Sequence, residues 1–358
     1  MKTSRNKLIA VLLSTTVIAL LCACSKHMSG TISNDSNQGD HAPLRMAIAP
    51  YQDIALIMNE KQLGLEKKYG IKLEFVTVTG EELLSSLASA GQTVDVSYGL
   101  LNEYLAKSAN INHEGDDRVI FLYPLFVFRG GGFVSFNPDV PELNSHTIND
   151  KALVKKFLSF KIGTPKSTWS EMMLFVLAKR TGIKLSDLHY TDIPLTDGLL
   201  AAENGSLDMT AAGLPQRNEC LKRHGRVVFS MDTLGMGDII GLACKESVYK
   251  KRKKDIESLI KLWIENANYS LSDPTHHCNP ELAYLKANSS TKYTPEEFKT
   301  ALGLEYFPKD IAEIQKEIIS NNGKYSIDKA TKTIDDYLID IGTIKTPTPA
   351  PKLIELSK

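Results

Sequence analysis

Residues 44–99 read LRMAIAPYQDIALIMNEKQLGLEKKYGIKLEFVTVTGEELLSSLASAGQTVDVSYG, and residues 160–213 read FKIGTPKSTWSEMMLFVLAKRTGIKLSDLHYTDIPLTDGLLAAENGSLDMTAAG. The second stretch repeats the pattern of the first. Gly70-Ile71-Lys72-Leu73 returns as Gly182-Ile183-Lys184-Leu185, and the run from Gly91 to Asp95 returns one residue shorter as Gly205-Ser206-Leu207-Asp208. In the first copy, Leu44 to Ala49 alternates like a short strand, and Ile54, Ile57, Met58 and Leu63 fit a helix. Ile71 to Val78 has the β-branched density of a buried strand. Thr79 and Glu82 stand at capping-box spacing for a second helix that would bury Leu83, Leu84 and Leu87. Val94 to Ser97 reads as a third strand and Leu100 to Ser108 as the helix after it. Strands that alternate with helices require crossovers, and therefore a mostly parallel sheet flanked by helices. Two such units predict an α/β protein of two lobes with a central cleft.

The rest of the chain connects and completes the two units. Val119 to Phe128 is an apolar, aromatic run followed by Arg129-Gly130-Gly131-Gly132, which suits a chain passing between lobes. The glycines lack the GKS/T ending and the spacing of a phosphate-cradling P-loop. Phe133 to Phe136 enters the second lobe, and Asn137 to Lys156 reads as a polar, proline-punctuated connection. There, residues 160–163 form a strand, and Trp169, Met172, Met173, Val176 and Leu177 share one helix face. Asp238 to Cys244, behind Gly235 and Gly237, carries the chain back. Ile256, Leu259, Ile260, Trp263 and Ala267 mark an amphipathic helix, and the basic run Lys250 to Lys254 before it reads as a solvated end. Residues 272–340 look mainly helical, and Thr346 to Pro351 reads as an extended tail. The expected organisation is 44–132 plus 240–346 for lobe 1, 133–239 for lobe 2 and 347–358 for the tail.

Lysine plus arginine and aspartate plus glutamate both number 42 in 358 residues, so nothing in the balance predicts a nucleic-acid partner. Lys2, Arg5 and Lys7 precede an apolar stretch from Leu8 to Leu21, which ends in Leu21-Cys22-Ala23-Cys24. That is a signal peptide over residues 1–23. Residues 24–43, rich in Ser, Gly, Asn and Asp, read as a flexible tether. Beyond it only Cys220, Cys244 and Cys278 remain, which is no disulfide scaffold, and His276-His277-Cys278 lacks the spacing of a metal site. There is no GxSxG, HExxH, P-loop or Cys–His signature, and none of the eight histidines falls in an expected strand-end loop beside an acid. No catalytic residue, metal or cofactor is expected.

Ligands of open parallel sheets collect beyond the carboxyl ends of the strands. The loops so picked out hold Tyr51, Gln52, Thr79, Gly80, Ser97 and Tyr98 in lobe 1, and Ser167, Thr168, Trp169 and Gly213 in lobe 2. Thr164 to Ser170 passes from strand to helix, where free amides and the helix dipole favour a negative or hydrogen-bond-accepting group. Ser167 and Thr168 would add hydroxyls to such a group, or else only cap the helix. Tyr51, Tyr98 and Trp169 would wall a ring or a short aliphatic group. Asp95 and Asp208 recur in register ahead of the strand ends, and read as caps rather than a catalytic pair.

Taken in order, Leu63-Gly64-Leu65 to Gly70-Ile71, Gly91 to Asp95, Ile162 to Thr168, Gly205 to Asp208 and Gly225-Arg226-Val227-Val228 resemble the periplasmic substrate-binding proteins of ABC importers. The branch is the one that captures nitrate, sulfonates, taurine or thiamine-type pyrimidine precursors. Ala23-Cys24 is similar to the lipobox of bacterial lipoproteins, in which the cysteine is lipidated and becomes the first residue. The resemblance implies a type II flytrap fold and an extracytoplasmic monomer, anchored by lipid on Cys24 to a bacterial membrane. Such a protein closes on a small-molecule ligand and delivers it to a permease. Gly213-Leu214-Pro215-Gln216 stands where many members carry a Trp-Glu-Pro-type segment. A ligand sensor or adhesion lipoprotein, or an enzyme on the same fold, are the rival readings.

Overall fold

The apolar runs assemble into two five-stranded sheets in a computed structural model that describes residues 42–88, 93–112, 117–289 and 292–356. The expected signal peptide, Cys24 and nearly all of the tether lie outside the described residues, as does Gly91. Residues 41–358 cluster as one compact unit. Its strands are β1 (Leu44–Ile48), β2 (Leu73–Thr77), β3 (Val96–Leu100), β4 (Val119–Phe128) and β5 (Gly132–Ser135). They continue with β6 (Ile162–Gly163), β7 (Tyr190–Thr191), β8 (Met209–Ala212), β9 (Arg226–Ser230) and β10 (Asp238–Lys245).

The first sheet has the order β2-β1-β3-β10-β4 and the second β7-β6-β8-β5-β9. The two orders are equivalent. In each, the first strand lies between the second and third in parallel, and one antiparallel strand follows before the last. That odd strand arrives from the other half: β5 directly follows β4 of the first sheet, and β10 follows β9 of the second. The chain therefore crosses twice between the halves, at Arg129–Gly131 and between β9 and β10.

The repeat read from sequence has a counterpart in each half. Gly70 and Gly182 both end a helix in the left-handed conformation, at φ of 67° and 74°, where a side chain would be strained. Asp95 Oδ2 accepts from Arg45 N at 2.9 Å, and Asp208 Oδ2 accepts from Lys161 N at 2.8 Å. Each carboxylate thus pins the entry of the first strand of its sheet beside the third.

Helices cover both sheets: α1 (Leu65–Tyr69), α2 (Leu101–Ile111), α3 (Lys151–Leu158), α4 (Trp169–Thr181), α5 (Leu195–Glu203), α6 (Leu214–Lys222) and α7 (Met231–Leu234). After β10 come α8 (Glu246–Ser272), α9 (Asn279–Asn288), α10 (Pro295–Leu302), α11 (Ile311–Ile314) and α12 (Ile327–Asp340). Trp263 of α8 stacks on Phe126 at 5.6 Å in the first half, and Phe229 packs against Phe133 and Phe157 in the second. α12 packs against α2 and β10 and also against α4, so it ties the halves together. Among the described residues no helix is long and apolar enough to cross a membrane.

Several elements differ from the sequence expectation. The helix expected from Ile54 to Leu63 is a 3-10 stretch, Ile54–Asn59, followed after a turn by α1. Thr79 and Glu82 do form a capping box, but they open 3-10 turns at Gly80–Glu82 and Ser85–Leu87, which still bury Leu83, Leu84 and Leu87. Within the expected connection 137–156, Asp150 accepts from Ala152 N and Leu153 N and starts α3, which buries Val154, Phe157 and Leu158. The basic run lies inside α8, at a kink where Arg252 takes φ −120° and ψ 30°. There Lys250 pairs with Glu246 and Arg252 with Asp255. The tail has no regular structure, yet Ile354 N donates to Leu122 O on β4, which shields the edge strand of the first sheet. Cys220, Cys244 and Cys278 are buried and free.

Candidate functional site

The carboxyl ends of the parallel strands carry the loops picked out from sequence, and the first crossover runs beside them. After β1, Tyr51 is 38% exposed and lies over Gly80, so close that a Cβ there would meet its ring at 2.6 Å. Thr79 is exposed next to it. Tyr51, Thr79 and Gly80 therefore share one rim. Gln52 is buried and accepts from Tyr293 Oη at 3.3 Å.

Ser97 and Tyr98 require a correction, because they sit inside β3 and not in the loop after it. Pairing with β10 extends the strand to Leu100. Ser97 Oγ donates to Leu83 O at 2.7 Å. Tyr98 Oη donates to Ile54 O at 3.4 Å and accepts from Trp263 Nε1 at 2.9 Å. Both side chains hold the floor of the first half.

In the second half the β6–α4 turn is held in an unusual shape. Ser167 has φ +56°, a left-handed conformation that among described non-glycine residues only His224 shares. The turn is fixed by Ser167 N donating to Glu171 Oε2 at 2.6 Å. Glu171, buried, also accepts from the hydroxyls of Tyr190 and of Tyr337 on α12. Thr168 occupies the N-cap position without a side-chain cap bond, and its hydroxyl donates instead to Pro165 O at 2.8 Å. Ser167 is exposed, and Thr168 and Trp169 are half-buried.

Trp169 reaches the crossover. Its ring lies edge-on to Phe128 at 5.6 Å, and a Cβ on Gly131 would fall 2.5 Å from its Cζ3. One residue earlier, a Cβ on Gly130 would fall 2.6 Å from Leu214 Cγ and 2.8 Å from Glu305 Oε1. Leu214 opens α6 directly after Gly213, so the starts of α4 and α6 both press on the bare backbone of the crossover.

Around this point the structure gathers charged groups that sequence reasoning missed. Glu305 is 7% exposed; its Oε2 accepts from Arg129 N at 2.8 Å and its Oε1 has no partner. Burial and the charge of Asp53 push its carboxyl well above the usual range, against the pull of the Arg129 amide. Asp53, beside Gln52, is also buried and accepts from Ile54 N at 2.9 Å; burial pushes it up to about 6. Arg217, on α6, donates from Nη1 to Gly130 O at 2.5 Å. Burial lowers its pKa, and the nearby Glu305 charge opposes that. Farther out, Lys222 of α6 pairs with Glu297 of α10 at 2.8 Å, a bridge from one half to the other. Asp53 and Arg217 each stand next to a loop picked out from sequence. Glu305 lies 176 residues from its partner Arg129 and carries no local signal.

No family model matches the chain. A Brachyspira hyodysenteriae protein named "Putative ABC transporter periplasmic binding protein" is 22% identical over 297 residues, covering 80% of each chain. Among solved structures, the periplasmic aliphatic sulphonate binding protein of Escherichia coli superposes with a TM-score of 0.61 at 16% identity, over 86% of this chain and 95% of that one. The periplasmic nitrate-binding protein of Synechocystis gives 0.57 at 13% identity, over 86% and 84%. A Candida albicans gene product described as having the generic periplasmic binding protein fold gives 0.60 at 16% identity, over 88% and 98%. Identity this low speaks to architecture alone: the chain has the periplasmic-binding-protein fold.

Proposed function

We propose that this protein is the extracytoplasmic solute-binding component of an ABC importer. It captures a small molecule between its two halves and hands it to a permease. The observation that carries this reading is the convergence at Arg129–Gly131 of the starts of α4 and α6 from the second half with Glu305 and the β1 loop from the first. Two chain crossings and a bridging α12 are few enough links for one half to swing on the other. A solute touching both would then favour the closed form by population shift. Lobe 1 comprises 44–132 plus 240–346, lobe 2 comprises 133–239, and Gly130–Gly132 and Gly235–Gly237 are the hinges.

Tyr51, Gln52, Thr79 and Gly80 form one rim of the site and Ser167, Thr168, Trp169 and Gly213 the other, with Ser97 and Tyr98 behind the first. The uncapped first turn of α4 suits an acceptor or anionic group on the solute. Sulfonates and nitrate, named for the fold relatives, and aromatic heterocycles such as pyrimidine precursors are the first probes. Residues 1–23 are a lipoprotein signal peptide, and lipid on Cys24 anchors a monomer through the tether to the outer side of a bacterial membrane. Capture without chemistry is tested by a thermal-shift screen followed by calorimetry on each hit. Saturable one-to-one binding with the solute recovered unchanged is expected, and steady turnover of the hit would overturn it.

A further inference from the structure

The first-crossover cluster places two buried carboxyls, Asp53 and Glu305, near one half-buried guanidinium, Arg217. A second cation nearby, Arg129, is already committed: its Nη2 pairs with Asp232 at 2.5 Å and its Nη1 donates to Tyr325 Oη at 3.0 Å. Arg217 gives Nη1 to Gly130 O. With both carboxyls ionised, the cluster would hold one more negative charge than it has uncommitted positive ones. A buried carboxylate oxygen without a donor is costly, and native interiors rarely leave one. Glu305 Oε1 is such an oxygen, and it points at the Gly130 backbone, where the two halves meet.

We propose that the captured solute carries a positively charged nitrogen group, an ammonium or guanidinium, which Glu305 and Asp53 receive as hydrogen-bond acceptors. This rests on the solute-binding reading above and names the class of its ligand. The arriving cation supplies the donor that Glu305 Oε1 lacks and the charge that lets both carboxyls ionise. An anion at the same place would meet two carboxyls that must stay protonated, with only the remaining N–H groups of Arg217 to receive it. The uncapped start of α4 remains available for an anionic group at the far end of the solute, so a zwitterion fits both ends.

Linkage gives a readout that does not need a variant. Burial raises the affinity of both carboxyls for a proton, so a cation displaces a proton where an anion would draw one in. The experiment is calorimetry at pH 7 in two buffers of different ionisation enthalpy. 2-Aminoethanesulfonate and guanidinoacetate are compared with ethanesulfonate and acetate, the same skeletons without the nitrogen group. The nitrogen-bearing probes should bind roughly tenfold or more tightly than their partners, the margin of a charge-assisted hydrogen bond. They should also release protons. Glu305→Gln, which keeps the shape, should erase that margin. Ethanesulfonate or acetate binding as tightly as its nitrogen-bearing partner, or a margin untouched by E305Q, overturns the ligand class and leaves solute capture standing. Silence from all four overturns the ligand class, and solute capture falls with it only if the wider thermal-shift screen is silent too.

Discussion

Asp238→Asn should make the protein more stable at neutral pH, although it alters a buried residue at a hinge. Asp238 opens β10 directly after Gly237 and is 1% exposed. Its Oδ1 accepts from Asn102 N at 3.3 Å, while its own Oδ2 and Asn102 Oδ1 find no partner. Burial pushes its carboxyl from the ordinary 3.8 up to about 8, with the charge of Glu103 adding to the effect and the Asn102 amide opposing it. The folded protein therefore keeps a proton that the unfolded chain gives up above 3.8. Between those values the folded state binds more protons, so stability falls as pH rises. At pH 7 the penalty has a ceiling of about 4 kcal/mol, at roughly 1.4 kcal/mol for each pH unit above 3.8, and relaxation around a buried charge lowers that to about 2–4 kcal/mol. Asparagine keeps the acceptor for Asn102 N and never ionises. Urea denaturation at pH 5, 6, 7 and 8 measures the effect as a difference from wild type. That comparison removes the parallel contributions of Asp53, Glu60 and Glu281, which are also raised, to about 6, 7 and 7. The variant's advantage should grow steadily from pH 5 to pH 8. A variant less stable than wild type at pH 8, or an advantage that does not change with pH, would refute the reasoning.

Trp169→Ala removes a half-buried indole wedged against Gly131 and Phe128 and should cost about 1–3 kcal/mol of stability, short of unfolding. It should also weaken solute binding, and unchanged affinity by calorimetry would move the site away from the crossover. Glu171→Gln takes the charge from the group that receives the Ser167 amide and the Tyr190 and Tyr337 hydroxyls, and should cost about 1–3 kcal/mol in urea denaturation. Lys179→Ala, which breaks the exposed pair with Asp336 and lifts the ammonium from the Phe175 ring, should cost about 1 kcal/mol or less, and an equal loss in both variants would show that Glu171 has no special part. Cys24→Ala should abolish incorporation of labelled palmitate and release the protein to the soluble fraction. Undiminished labelling would place the lipid elsewhere.

What could be read from sequence was what has a local physical cause. Gly70 and Gly182 stand out because a helix ending in the left-handed conformation selects glycine, and both do. Asp95 and Asp208 recur because each sheet needs the same clip at the entry of its first strand. The buried face of α8 followed from spacing alone: Ile256, Leu259, Ile260, Trp263 and Ala267 are all buried. Features set by distant partners were not legible. Tyr98 reads as a loop residue because nothing near it announces that Gly99 and Leu100 pair with Gly241 and Ile240. The capping box at Thr79 was real, but a cap fixes where a helical turn starts and not how far it runs. Glu305 comes to the crossover through the C-terminal helices, and only the folded chain shows that its carboxylate faces Gly130.

The central claim is closure of one half on the other around a solute, and distance measurement between spin labels tests it most directly. Labels at Glu74→Cys and Lys166→Cys report from exposed positions, one in each half, while Cys220, Cys244 and Cys278 are buried. The account predicts two separations in the empty protein, with the shorter one filling as a solute from the screen is added. A single distribution that does not move at saturating solute would contradict it.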